Sequence, residues 1–320
     1  MSEVAATREN KMMIRRINKL ALVGAIASLA MSAFAQDGRS SRGAPKPVTV
    51  PISIRLRGPA PVEMRFVDFL LREDGEMQRE VSRRTPNDSP MTLAILFQDD
   101  LVSSVALETK GMANFIRSEP GGSRVMVAYI RPGSLEVRRK FTNELDKAAQ
   151  SVRVPQGTAG AGAYNPYVEI IEGLRRFDSQ PLGRRAMIVI SDGIDVSRGV
   201  DSSTPSQSLD LQRAITEAQR RSVAIYSIFA PSAAPTLQAL GLNGQSCLQR
   251  LSDETGGRAF FQGTAAPVSF DPFLKEIDLL MSRQIAFTYL STHTNKGFHK
   301  LEIKPLDRDV EIRHPAGYTR

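Results

Sequence analysis

The chain has 320 residues, a formal charge of +8, 41% hydrophobic and 24% charged content, and one cysteine. That composition is globular rather than disordered, and Cys247 alone excludes an intramolecular disulfide and a cysteine-built metal site. The basic residues fall in scattered pairs such as Arg83-Arg84, Arg138-Arg139, Arg175-Arg176 and Arg220-Arg221, with no interleaved aromatics, so no nucleic-acid surface of the stacking kind is expected.

At the N-terminus, Arg15, Arg16 and Lys19 precede an uncharged run, LALVGAIASLAMSAFA, that ends in Ala33-Phe34-Ala35. These are the three parts of a secretory signal peptide. The run is short of the ~20 strongly apolar residues that a spanning helix needs, so residues 1–35 are expected to be removed and the chain exported, to the periplasm or beyond. A start at Met12 or Met13 instead of Met1 gives a more usual signal length. Residues 1–35 carry five Lys/Arg and two Asp/Glu, which leaves a mildly basic mature charge of +5. Residues 36–47, QDGRSSRGAPKP, read as a flexible leader.

Residues 48–90 have a β texture. VTVPISIRLRG alternates, and DFLLREDGEMQREV places Asp74-Gly75 between two extended runs, a hairpin signal. The polar link RRTPNDSP follows.

From Met91 strands alternate with helical stretches through residue 283, the pattern of a largely parallel sheet with crossover helices on its faces. LAILF leads into a helix bearing Val105, Leu107, Met112, Phe115 and Ile116, which Pro120-Gly121-Gly122 ends. SRVMVAYI and SLEVRRKFT flank Pro132-Gly133 as a hairpin, and NELDKAAQSV is a short helix. The Gly/Ala-rich PQGTAGAGAYNP is a loop, with Asn165 as N-cap and Pro166 at the first position of the helix YVEIIEGLRRF.

AMIVIS is a second buried strand, LQRAITEAQRR a helix, VAIYSIFA a strand, and CLQRLSDETGGRAFF a helix closed by Gly256-Gly257 before a short strand. The last helix is FDPFLKEIDLLMSRQ, with Asp271 expected to cap it and Pro272 to begin it. Residues 284–320 return to β in QIAFTYLST, FHKLEIKPL and DVEIRH, and are expected to pair with the β segments before Met91, because one hairpin alone is marginal in water.

Two buried strands end in acid: LAILFQ at Asp99-Asp100 and AMIVIS at Asp192. In an open parallel sheet, ligands bind beyond the carboxyl ends of the strands, and neighbouring strands, ~4.8 Å apart, would bring these acids to one rim.

The unit RRAMIVISDGID, the TGGRAFF segment after a helix, the first strand ending in acid and the order of elements resemble the von Willebrand factor type A fold. DFLLREDGEMQ, FQDDLVSS and a tail running from QIAFTYLS through HKLEIK to GYTR are similar to an exported bacterial branch, the Acidobacteria-type von Willebrand factor A-related proteins. The resemblance covers about residues 50 to 320. It implies a doubly wound, mostly parallel α/β sheet with a small β-rich accessory region, and a protein that binds another protein through the loops above its sheet.

The resemblance also implies a metal-ion-dependent adhesion site, built from Asp-x-Ser-x-Ser, a Thr and a further Asp around a hard cation. Here the further Asp is Asp192. The first motif reads Asp99, Leu101, Ser103 or Asp100, Val102, Ser104, so in either register an aliphatic residue replaces the first serine. The threonine position falls near Asn165, with Thr158 farther off. Asp99, Asp100, Ser103, Ser104, Asn165 and Asp192 are therefore the candidate metal-site residues, Thr158 an outsider, and magnesium, with manganese or calcium as substitutes, the candidate ion. The same residues also have plain structural readings as helix caps and first-turn positions.

No enzyme is expected. A nucleotide cradle is missing, and His293, His299 and His314 all lie in the β tail, without zinc-helix spacing. Two other functions compete with partner capture at the loops: a structural envelope component that makes contacts through its tail, and, remotely, a metal-assisted hydrolase.

Overall fold

The structure, a computed structural model, describes residues 44–56, 64–156, 165–234, 237–263 and 265–320. The expected signal peptide, the leader up to residue 43, and Thr158 lie outside the described residues.

Six strands form the central sheet: β5 (Thr92–Gln98), β6 (Arg124–Arg131), β7 (Ser134–Thr142), β8 (Arg185–Ser191), β9 (Ala224–Phe229) and β10 (Ala259–Phe260). Their order is β10-β9-β8-β5-β6-β7. All neighbours are parallel except the β6/β7 hairpin. The chain starts in the middle, winds one way through β6 and β7, and then returns to the other side of β5 at β8. The fold is thus the doubly wound α/β arrangement expected from the sequence, and its topological switch point lies between β5 and β8.

The middles of β5, β6, β8 and β9 are largely apolar because both faces are covered. Leu93, Ile95 and Phe97 of β5 pack with Val125, Val127 and Tyr129 of β6 and with Ile188 and Ile190 of β8 under helices α1 (Val105–Ser118), α2 (Leu145–Gln150) and α6 (Asp271–Ser282). Ala94 and Leu96 pack with Met126, Met187 and Val189 under α3 (Pro166–Arg175), α4 (Leu209–Arg221) and α5 (Gln238–Glu254). This strict alternation follows from the two-residue period of a strand.

The β segments at either end of the chain meet. β1 (Lys46–Leu56) lies between β11 (Gln284–Ser291) and β13 (Val310–Arg313), and β4 (Arg79–Arg84) extends the sheet beyond β11. β12 (Phe298–Pro305) lies between β2 (Phe69–Glu73) and β14 (Gly317–Thr319), with β3 (Glu76–Met77) beyond β2. Asp74 and Gly75, both at positive φ (49° and 85°), make the expected two-residue turn. Its second arm then divides, so that β3 stays with β2 while β4 joins the other sheet.

Three local expectations are corrected. Leu107 is exposed although it shares a helix with buried Val105, Met112, Phe115 and Ile116; it falls on the solvent side of α1. Asp271 does not cap α6: Phe270 holds the cap position, and its N–H donates to Glu108 Oε2 at 2.7 Å while the Asp271 N–H donates to Ser269 Oγ. An acid from α1, 162 positions away, thus supplies what a local Asp was expected to supply. β14 is an additional short strand, which pairs Gly317 with Lys300.

Candidate functional site

The register of the switch point, with Phe97 opposite Ile190, carries Gln98-Asp99-Asp100 alongside Ser191-Asp192. The Gln98 side chain ties the two strand ends together. Its Oε1 accepts from Ser191 Oγ (2.6 Å) and Asp192 N (3.2 Å), and its Nε2 donates to Asp100 Oδ1 (2.9 Å). All these side chains are buried. Asp100 and Asp192 therefore share one short bridge, as neighbouring strands should allow.

Asp99 and Asp100 form the turn that follows β5 and take different partners. Asp99 lies on the Phe97 face, where Arg153 donates from Nη1 to Oδ1 (2.6 Å) and from Nη2 to Oδ2 (3.0 Å). Arg131 Nε donates to Oδ2 (2.9 Å), and Gln156 N to Oδ1 (2.9 Å). Arg153 also stacks over the Tyr129 ring at 3.9 Å and reaches Glu136. Burial alone would raise the Asp99 pKa; the donors from Arg153, Gln156 and Arg131 outweigh it and hold the carboxyl below the usual range.

The other half of the rim has the opposite balance. Burial pushes the Asp100 pKa up, against the Gln98 hydrogen bond and with the charge of Asp99 adding to it. Burial pushes Asp192 up to about 7, against hydrogen bonds from Ile194 N, Gln98 and Ser232, with Asp100 adding repulsion. Among the described residues no Lys or Arg forms an ion pair with Asp100 or Asp192, whereas Asp99 has two.

A strap crosses above this half. Val102 N donates to Pro231 O and Ala233 N to Asp100 O, so the segment after β9 bridges Leu101 to Ser232 over the end of β8. Beneath it α5 comes very close to the β8 loop. Gly193 has φ +67°, and a Cβ there would lie 2.5 Å from Gly244 O. A Cβ on Gly244 would lie 2.0 Å from Asp192 O, so both positions need glycine. Between strap and helix opens a cleft of about 320 Å³, lined by Asp192, Ile194, Phe229, Pro231, Ser232 and Leu237 among others.

The remaining candidates fall elsewhere. Asn165 caps α3: its Oδ1 accepts from Tyr167 N, and its Nδ2 donates to Asp210 Oδ2 (2.7 Å) and Ser197 Oγ. It belongs to a second polar network in which buried Asp195 accepts from Ser197 and Ser208. Ser103 and Ser104 are exposed at the start of α1, and Ser104 makes no capping hydrogen bond. Sequence reasoning missed Arg153, Arg131, Gln98 and the Pro231–Ala233 strap. Gln98 alone carried a visible signal, as the polar residue between an apolar run and the acids.

Asp99 and Asn165 do not suit a hard cation. Both oxygens of Asp99 are taken by guanidinium and amide donors, and Asn165 Oδ1 is held by the helix cap. Leu101 and Val102 stand at the first-serine position. Among the described residues no group of three or more His, Cys, Asp or Glu is arranged to hold a metal ion. At Asp99 the guanidinium groups stand where positive charge is needed.

The sequence matches no family model and no curated protein. Solved structures similar to it include an aerotolerance-related membrane protein from Bacteroides fragilis (15% identity over 60% of this chain and 98% of that one, TM-score 0.40). Others are the conserved hypothetical protein BatB from Bacteroides thetaiotaomicron (11%, 61% and 98%, TM-score 0.43) and the SpRpn10 VWA domain (12%, 60% and 98%, TM-score 0.42).

Proposed function

We propose that the protein is an exported von Willebrand factor A-like binding module that captures a protein partner on the loops at the carboxyl edge of its sheet, with no turnover and no need for a divalent cation. The observation that carries this reading is the Asp100–Asp192 pair at the switch point, which no Lys or Arg meets among the described residues, beside a cleft open to solvent. Open α/β sheets bind ligands at this edge, and a rim that keeps desolvated carboxylates without an internal cation is costly unless something outside the fold meets them. Export rests on the charged and apolar pattern of residues 15–35. Among the described residues no helix is long and apolar enough to cross a membrane.

A second reading, contact through the β tail, is favoured by a shallow concavity of about 730 Å³ where Phe66 and Leu306 are exposed beside Asp68, Asp307, Arg308 and Asp309. Site-specific photo-crosslinking in the native cells separates the two. A crosslinker at Leu237, 71% exposed on the cleft, is expected to trap a discrete partner, and one at Leu306, 61% exposed on the tail, to trap none. The reverse pattern would establish the tail as the contact surface and end the crest reading.

A further inference from the structure

Resting on that reading, we infer that the cleft beside Asp192 is a socket for a basic side chain, a lysine or arginine presented by the partner. The floor and walls suit that occupant and disfavour the others. Ser232, which hydrogen-bonds the Asp192 carboxyl, lines the cleft together with Asp192, so the carboxyl lies at its wall. Asp100 is linked through Gln98 to the Asp192 backbone N–H, which sets a second acid next to the one that lines the cleft. Ile194, Phe229, Pro231 and Leu237 supply the apolar part of a lining that also holds Gln238. An aliphatic stem ending in a cation matches a lining that sets apolar side chains beside an acid. The volume, about 320 Å³, equals that of roughly ten liquid waters, room for one long side chain with water beside it.

A partner carboxylate would meet two like charges. A purely apolar plug would leave Asp192 facing hydrocarbon without compensation. The Asp99 half of the rim shows the same chemistry completed from within: the Arg153 guanidinium sits on a carboxylate at the end of the same sheet, its flat face against an aromatic ring.

The experiment follows the amides of Ile194, Ser232 and Gly241 in the NMR spectrum of the mature chain during titration with four single-residue probes, the Nα-acetyl methylamides of lysine, arginine, norleucine and glutamate. Lysine and arginine are expected to give saturable shifts at these amides, with norleucine at least about tenfold weaker and glutamate silent. Asp192→Asn is expected to remove the preference for the charged probes, its folding checked by the dispersion of the same spectrum. Leu237→Lys, at an exposed position where folding is not at stake, is expected to weaken both basic probes by placing an ammonium at the mouth. Norleucine binding as well as lysine, or an Asp192→Asn chain that keeps the preference, overturns the socket. A crosslink at Leu237 with no basic-probe binding rejects the socket and leaves partner capture standing; basic-probe binding with crosslinks only at Leu306 rejects partner capture at the crest and leaves the socket standing.

Discussion

The two halves of the acidic rim are built from the same raw material and come to opposite electrostatic ends. At Asp99 the fold brings in Arg153 from just beyond α2 and Arg131 from the end of β6, and the carboxylate is held ionised. One residue later, Asp100 and Asp192 have Gln98, Ser232 and backbone donors but no ion pair with a Lys or Arg among the described residues, and both carboxyls are pushed toward protonation by burial. A run of two acids at a strand end is therefore two different devices. The first locks loops together; the second keeps two acids without an arginine partner among the described residues.

The largest effect is expected on the locked side. Arg153→Ala leaves Asp99 buried without its bidentate partner and removes the stack on Tyr129, so unfolding in urea should lose about 3–5 kcal/mol. Arg153→Lys should recover only part of this, because an ammonium cannot reproduce the fork. A loss below ~1 kcal/mol for Arg153→Ala would mean that the lock is not formed in solution.

Asp192 gives the next effect, with the opposite sign. Its folded pKa of about 7 lies above the unfolded 3.8, so between those values the folded chain holds the extra proton and stability falls as pH rises. Asp192→Asn has no such penalty, and relative to wild type it should gain up to about 4 kcal/mol between pH 4 and pH 8. Asp99 works the other way: its folded pKa is depressed, so its contribution is present above the unfolded value of 3.8 and is lost as pH falls through the folded one. Parallel unfolding series for Asp99→Asn and Asp192→Asn should therefore diverge from wild type in opposite pH ranges. If the two series are superimposable, the asymmetry is absent.

Arg131→Ala should matter less. The Arg131 side chain is 41% exposed and shared between Asp99 and Glu136, so the loss should be under ~1 kcal/mol. The smallest expected effect is that of magnesium. With both Asp99 oxygens already bonded to protein donors, about 10 mM magnesium should move the thermal midpoint by less than about 1 °C, whereas a site saturated a hundredfold would add about 2.7 kcal/mol.

What could be read beforehand follows the range of the interaction. β5 and β8 were legible because five-residue apolar runs bounded by polar residues are buried on both sides of a parallel sheet. Asn165 was legible as a cap because Asn-Pro acts on its own next turn. The partners of Asp99 were not: Arg153 lies 54 positions away and Arg131 32, and nothing local marks either among the many arginines of this chain. For the same reason the helix cap supplied by Glu108 and the strap from Pro231 to Ala233 escaped, since each depends on two distant segments arriving side by side. The divergence of Asp99 and Asp100 lies in the turn beyond β5, outside its alternation, and only the arrival of the distant arginines shows which acid they hold.

The most direct measurement is the titration of individual carboxyls by carbon NMR. The account predicts that the Asp192 carboxyl changes protonation near pH 7 while that of Asp99 stays ionised below the usual carboxylate range. Two carboxyls titrating together near pH 4 would show that neither burial nor arginine distinguishes them, and would contradict the division of the rim.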